Sequence, residues 1–164
     1  MKHEAAQGRR ERKRLLVVAI ACAAIVVVDQ LIKALVRQNL RPGAPVDVFH
    51  GVLSLNLTRN TGAAFGLFQT GGPLFVAVAV SVVVVILANY SRLSHARRPI
   101  QTAVALIAGG AVGNALDRIR LGYVTDFIDL HWWPVFNLAD SAIVLGVGLL
   151  LIQTIVHGSG SRPS

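Results

Sequence analysis

The sequence predicts an α-helical integral membrane protein, with four transmembrane helices, a small β-sheet cradle on the outer face and a short interfacial helix or loop. Three observations point there. The composition is 54% hydrophobic and only 15% charged, with mean hydropathy +0.60, against roughly 25% charged residues in soluble domains. Apolar runs at 15–36, 74–90, 100–118 and 138–156 each approach the roughly 20 residues a helix needs to cross a bilayer. Between the first two runs, residues 46–58 alternate apolar and polar, the period of a half-buried strand. A length of 164 residues suits one domain, placed at 15–157.

Residues 1–14 are polar and basic, and read as a mobile cytoplasmic extension. The first run follows. A basic head before an apolar core also fits a cleaved signal peptide, but the run continues into Asp29-Gln30-Leu31-Ile32-Lys33 rather than a small-residue cleavage site. Asp29 and Lys33 are four apart with the acid first, the favourable order for an ion pair on one helix face. Arg41-Pro42-Gly43-Ala44-Pro45 punctuates as a turn, and 40–68 reads as the outer β region. The run at 74–90 is rich in valine, yet its length and lack of charge favour a membrane helix. Residues 91–99 form a basic inner loop. Gly109 and Gly113 make a GxxxG on the third helix, a pattern that lets helix backbones approach closely. The fourth helix leads to a short tail, 158–164.

The net charge of +8 raises the question of nucleic acid. Its distribution answers it: Arg9, Arg10, Arg12, Lys13 and Arg14 precede the first run and Arg92, Arg97 and Arg98 fill a later break. That is the positive-inside pattern, and no aromatic residues interleave with the basic ones for base stacking. An even number of spans then places both termini in the cytoplasm, and Asp29, Asp47, Asp117, Asp126, Asp129 and Asp140 in the outer half. Cys22 is the single cysteine and the five histidines are scattered, so no metal or other cofactor is expected.

Polar chemistry is concentrated in 109–140, which holds four of the eight acidic residues. Charges near lipid are costly unless paired or used. Asn114, Asp117 and Arg118 share a helix face; a carboxylate such as Asp117 neutralising Arg118 leaves Asn114 to bind a peptide group. Asn137 and Asp140 stand at N-cap and N3 of the last helix, and Thr125 or Asp126 suits the cap of a short interfacial helix. Taken singly, each motif is explained by capping. Taken together, two carboxylates in a partly desolvated place share a proton and can serve as acid and base in hydrolysis. A small transporter or proton-relay subunit is the alternative, and a non-enzymatic scaffold a third reading.

Five motifs occur in order: Asp29-Gln30-x-x-Lys33; Asn60-Thr61-Gly62-Ala63-Ala64-Phe65; Gly109-Gly110-Ala111-x-Gly113-Asn114-x-x-Asp117-Arg118; Gly122-x-Val124-x-Asp126-Phe127; Phe136-Asn137-x-Ala139-Asp140. The set resembles the lipoprotein signal peptidases, the bacterial type II signal peptidases, over about residues 15–157. The resemblance implies an aspartyl intramembrane protease of the bacterial inner membrane, with a periplasmic β cradle and a site at the periplasmic face. It implies removal of the signal peptide from diacylglyceryl-modified prolipoproteins, with the cut just before the lipidated cysteine. The catalytic pair carries over to Asp126 and Asp140. Asn60, Gly62, Asn114, Arg118 and Asn137 match positions at the substrate site, and Asp29, Lys33 and Asp117 match supporting positions. Expected partners are lipidated prolipoproteins, membrane lipids and globomycin-like cyclic peptide inhibitors. The chain is expected to act as a monomer, without cofactor.

Overall fold

A computed structural model describes residues 2–62 and 72–158. Ala63, Ala64 and Phe65 of the second motif, the end of the 40–68 block and the tail from 159 lie outside the described residues. The elements in order are α1 (Lys2–Asn39), β1 (Val46–Phe49), β2 (Leu53–Asn60), α2 (Gly72–Ala88), α3 (Tyr90–His95), α4 (Arg98–Leu121), β3 (Val124–Asp129) and α5 (Leu138–Gly158). Three helical stretches are long and apolar enough to cross a membrane: Gln7–Asn39, Arg98–Leu121 and Leu138–Val156. The apolar helix Gly72–Ala88 is shorter, at 17 residues.

The basic extension is helical: α1 starts at Lys2 and runs unbroken through residue 14, as its Glu, Gln, Lys and Arg residues, all good helix formers, permit. Arg14 Nη1 donates to the Ser94 carbonyl of α3 at 3.3 Å, and Glu11 lies 3.0 Å from His95. One expectation is corrected: Thr125 and Asp126 do not cap an interfacial helix. They lie on β3, which completes an antiparallel sheet of order β1-β2-β3. The run Val-Thr-Asp-Phe-Ile-Asp is rich in the β-branched and aromatic residues that suit a strand. Gly122 ends α4 in the left-handed conformation at φ 80°, a backbone state glycine adopts without steric cost, and releases the chain into β3.

Helix α4 is central, packing against α5, α1 and α2. Its glycines explain how. A methyl group at Gly109 would lie 2.8 Å from Ile25 Cβ and 3.1 Å from the Cys22 carbonyl, so α1 approaches there backbone to backbone. At Gly110 it would run into the Ala139 carbonyl, where α5 begins. Small residues at such crossings allow the close packing that holds membrane helices together. The sheet sits on the far end of α1, where Val36 packs with Leu57 and Phe127. Between Leu55 and Thr58, β2 carries one residue more than β3 opposite. This bulge lies beside Asp126, a common device for re-aiming side chains near a site.

Candidate active site

Two polar clusters lie side by side at the end of the bundle away from the basic segments. The first is closed. Lys33 Nζ sits 2.9 Å from Asp29 and 3.6 Å from Asp117, with all three side chains essentially without exposure. Arg37 reaches Asp117 at 3.8 Å and donates to Thr125 Oγ1 at 2.8 Å. Gln30 Nε2 lies within 3.2 Å of Asp29, Asp117 and the Gly113 carbonyl. The expected Asp29–Lys33 pair is therefore present, inside a larger network. Both carboxylates also accept from backbone: Asp29 from Ala139 N at 3.1 Å, at the start of α5, and Asp117 from Thr125 N at 2.9 Å, on β3. Burial of so many charges is tolerable only with such complete pairing, and the network ties α1, α4, β3 and α5 together.

The second cluster is organised by amides. Asn137 caps α5: its Oδ1 accepts from Asp140 N at 3.0 Å, while Asp140 Oδ2 accepts from Asn137 N at 3.2 Å. This reciprocal arrangement has the logic of a capping box, as the spacing predicts. The Asn137 Nδ2 donates to Asp126 Oδ1 at 2.6 Å, so one side chain spans from the cap to the second carboxylate. Asn60 Nδ2 donates to Asp126 Oδ2 at 2.9 Å. Asn114 is not left free, as the sequence suggested. Its Nδ2 donates to Asp140 Oδ1 at 2.7 Å and its Oδ1 accepts from Lys33 at 2.9 Å and from Asn137 at 3.2 Å. The free amide disappears because Lys33 and Asp140 approach Asn114 from opposite sides.

Arg118 is not paired with Asp117, which Lys33, Arg37 and Gln30 already satisfy. Its Nη2 donates to the Gly62 carbonyl at 3.1 Å, its guanidinium lies 4.6 Å from the centre of the Phe75 ring, and its Nε has no hydrogen-bond partner among the described residues. Gly62 N in turn donates to Asn60 Oδ1 at 3.0 Å. Asn60, Gly62, Asn114, Arg118, Asp126 and Asp140 line one cavity of about 390 Å³, with Phe75, Val78, Ile143 and Val144 as its apolar wall. Asn137, Asp29, Lys33 and Asp117 stand behind it.

Asp126 is 2% exposed and its pKa is pushed up to about 6, first by burial and second by the charge of Asp140; the amides of Asn60 and Asn137 and the charge of Lys33 oppose the rise. Among the described residues no Lys or Arg forms an ion pair with either Asp126 or Asp140. Two adjoining carboxylates held by neutral donors can keep one proton between them. No group of three or more metal-ligating side chains exists among the described residues.

Sequence reasoning gave no role to the side chains of Gln30 and Arg37, and gave Thr125 only that of a helix cap. Arg37 was detectable, because it follows Lys33 by four residues on the same helix face. Thr125 was hidden because its contacts depend on β3.

Comparison with known proteins gives a consistent result. Lipoprotein signal peptidase of Moorella thermoacetica is 45% identical over 132 residues, covering 80% of this chain and 88% of that protein. Lipoprotein signal peptidase of Syntrophomonas wolfei is 45% identical over 134 residues, covering 82% and 89%. A solved bacterial membrane enzyme, determined in meso at 2.3 Å, superposes with TM-score 0.80 at 26% identity over 90% of this chain and 93% of its own. The family described as signal peptidase (SPase) II matches residues 21–156, the interval that carries both polar clusters, the second half of the first long apolar helix and the whole of the other two, and the chain belongs to that family.

Proposed function

We propose that this chain is an aspartyl endopeptidase that removes the signal peptide from diacylglyceryl-modified prolipoproteins, cutting just before the lipidated cysteine. Asp126 and Asp140 are the catalytic pair. The observation that carries this is their place on one cavity, bridged by Asn137 and without an ion pair to Lys or Arg among the described residues. The ionised member takes a proton from water as its oxygen attacks the scissile carbonyl carbon. The protonated member gives its proton to the carbonyl oxygen. Collapse of the tetrahedral intermediate breaks the C–N bond. The proton taken from water goes to the leaving amine, which becomes the amino group of the lipidated cysteine.

The remaining side chains fit the same substrate. Arg118 and Asn60 offer donors at the cavity rim for a peptide backbone, and the wall of Phe75, Val78, Ile143 and Val144 offers an apolar surface for acyl chains. Four spans follow if α2 also crosses: 17 residues rise about 26 Å, against a hydrocarbon core of about 30 Å. The basic end of α1 and the basic segment before α4 then face the cytoplasm. The site opens at the periplasmic edge of the inner membrane, where a lipid anchor holds its peptide.

The transporter reading is disfavoured by the apolar segments. No charged residue occurs in 15–28, 72–88, 99–116 or 141–156, whereas a proton path needs titratable groups through the bilayer depth.

The test is cleavage by purified full-length protein of a lipidated and an unlipidated precursor, with products identified by mass spectrometry. The expected product begins at the lipidated cysteine and forms only from the lipidated precursor. Equal cleavage of both, or cleavage at another bond, overturns the proposal.

A further inference from the structure

At the other end of the bundle, the seam between α1 and α4 opens. The two helices run side by side in the same direction, with Gly109 against Ile25 and Gly113 against Asp29. These glycines draw the backbones together near the polar clusters. Toward the basic end no glycine pair closes the seam, and a cavity of about 430 Å³ remains. Lys13, Arg14 and Arg98 stand at its mouth, Gln101 and Thr102 follow, and Val17, Val18, Ala21 and Ala105 form its walls. Among the described residues no acidic one lines it.

The polarity is ordered along the helices. On α1, Lys13, Val17 and Ala21 follow at four-residue steps, and on α4, Arg98, Thr102 and Ala105 share the same sense. Both stripes pass from cation to small apolar residue within about 12 Å of rise. Arg14 uses one nitrogen on the Ser94 carbonyl, which holds its guanidinium at the mouth. Lys13 and Arg98 are exposed and make no hydrogen bond or ion pair with the described residues. Three cations at the level where an apolar helix enters the bilayer, above a narrow apolar slot, match the two halves of one molecule.

We propose that this cavity binds an anionic phospholipid of the cytoplasmic leaflet, its phosphate between Lys13, Arg14 and Arg98 and an acyl chain against Val17, Val18, Ala21 and Ala105. Basic pockets between membrane helices on the cytoplasmic side are suited to such headgroups. The side assigned here follows the orientation given under the proposed function, but the lipid chemistry stands on the cavity alone. The site lies away from Asp126 and Asp140, and its occupant bridges α1 and α4 where these helices lack their glycine contact.

The test uses the full-length protein in neutral detergent, with phosphatidylglycerol, phosphatidylcholine or inorganic phosphate added. Retained lipid is counted by native mass spectrometry, and the shift in melting temperature is recorded. One phosphatidylglycerol is expected to be retained in preference to phosphatidylcholine and to raise the melting temperature. The double variant Lys13→Gln/Arg98→Gln should weaken retention about thirtyfold, from the loss of two basic side chains at an anionic headgroup. Arg92→Gln/Arg97→Gln removes the same charge outside the cavity and should leave retention within about threefold of wild type. Thr102→Trp fills the slot without altering charge and should also abolish retention. Equal retention of both lipids, equal loss in the two charge-matched variants, or a melting shift reproduced by inorganic phosphate overturns the proposal. Asp126→Asn should keep lipid retention intact, so failure of the peptidase assignment and failure of this site are separately visible.

Discussion

The two polar clusters use the same residue type in opposite ways. Asp29 and Asp117 are matched to Lys33 and Arg37 and cut off from solvent. Asp126 and Asp140 receive amide donors from Asn60, Asn114 and Asn137 and face a cavity. A cation beside a buried carboxylate favours its charged form, whereas desolvation and a neighbouring carboxylate favour the proton. The first cluster is built to hold charge still, and the second leaves a proton free to move. Lys33 joins them: it pairs with Asp29 and donates to Asn114, which holds Asp140.

The strongest test removes charge from the open cluster. Asp126→Asn and Asp140→Asn should each lower the cleavage rate at least about a thousandfold, toward the upper end of what general acid–base catalysis contributes. The melting temperature should stay within a few degrees of wild type. A variant that keeps its activity, or that unfolds, would make the open cluster structural like its neighbour. In the closed cluster the order reverses. Lys33→Met leaves Asp29 buried without its nearest cation and should cost about 3–5 kcal/mol of stability, measured by denaturation in mixed micelles. Adding Asp29→Asn to that variant should recover part of the loss, because the unpaired charge is then gone.

The glycines distinguish the clusters by geometry. Gly110→Ala puts a methyl group into the Ala139 carbonyl, one residue before Asp140, while Gly113→Ala puts it 2.7 Å from Asp29 Oδ2. The first should displace the capping turn of α5 and cut kcat about a hundredfold, the scale of a roughly 1 Å misplacement, with a modest change in melting. The second should act chiefly on stability. Parallel assays of turnover and melting check both, and an exchange of the two signatures would contradict the division.

Much of this was readable in the sequence because its causes are local. The Asn137/Asp140 cap and the Asp29–Lys33 pair follow from spacings of three and four on a helix, and the apolar runs reported three of the long helices directly. The partners of Asn114 and Arg118 were misread because they depend on which helix lies opposite. Helical spacing puts Asp117 one residue before Arg118, yet α1 brings Lys33 and Arg37 to Asp117 first, so Arg118 turns to Gly62 and Phe75. Strand β3 was missed for a related reason. Six residues carry little periodicity, and their strand state is set by pairing with β2, more than sixty residues earlier. The basic head carries no apolar periodicity to mark a helix, although its residues favour one.

Titration separates the clusters more finely. Asp126 should give a protonated-carboxyl infrared band that disappears around pH 6 and is absent in Asp126→Asn. Its folded pKa lies above the 3.8 of an unperturbed carboxyl, so between those values the folded chain holds a proton the unfolded chain has released. Stability from this group is therefore complete below about pH 4 and lost as pH rises through about 6, a change of order 3 kcal/mol.

The smallest effect is expected three residues further along β3. Asp129 accepts from Asn56 Nδ2 at 2.9 Å and from His131 N at 2.8 Å, and these bonds hold its pKa below the usual carboxylate range. Side chains alternate along a strand, so an odd separation turns Asp129 to the face opposite Asp126 and away from the cavity. Asp129→Asn should leave cleavage within about twofold of wild type, measured on the lipidated precursor. It should also remove a small stabilisation that, in the native protein, is present at neutral pH and lost as pH falls through the depressed pKa. A large loss of turnover would mean that the carboxylates of β3 act together whichever way they face. The contrast between the clusters would then reflect proximity to the site rather than the partner each acid receives.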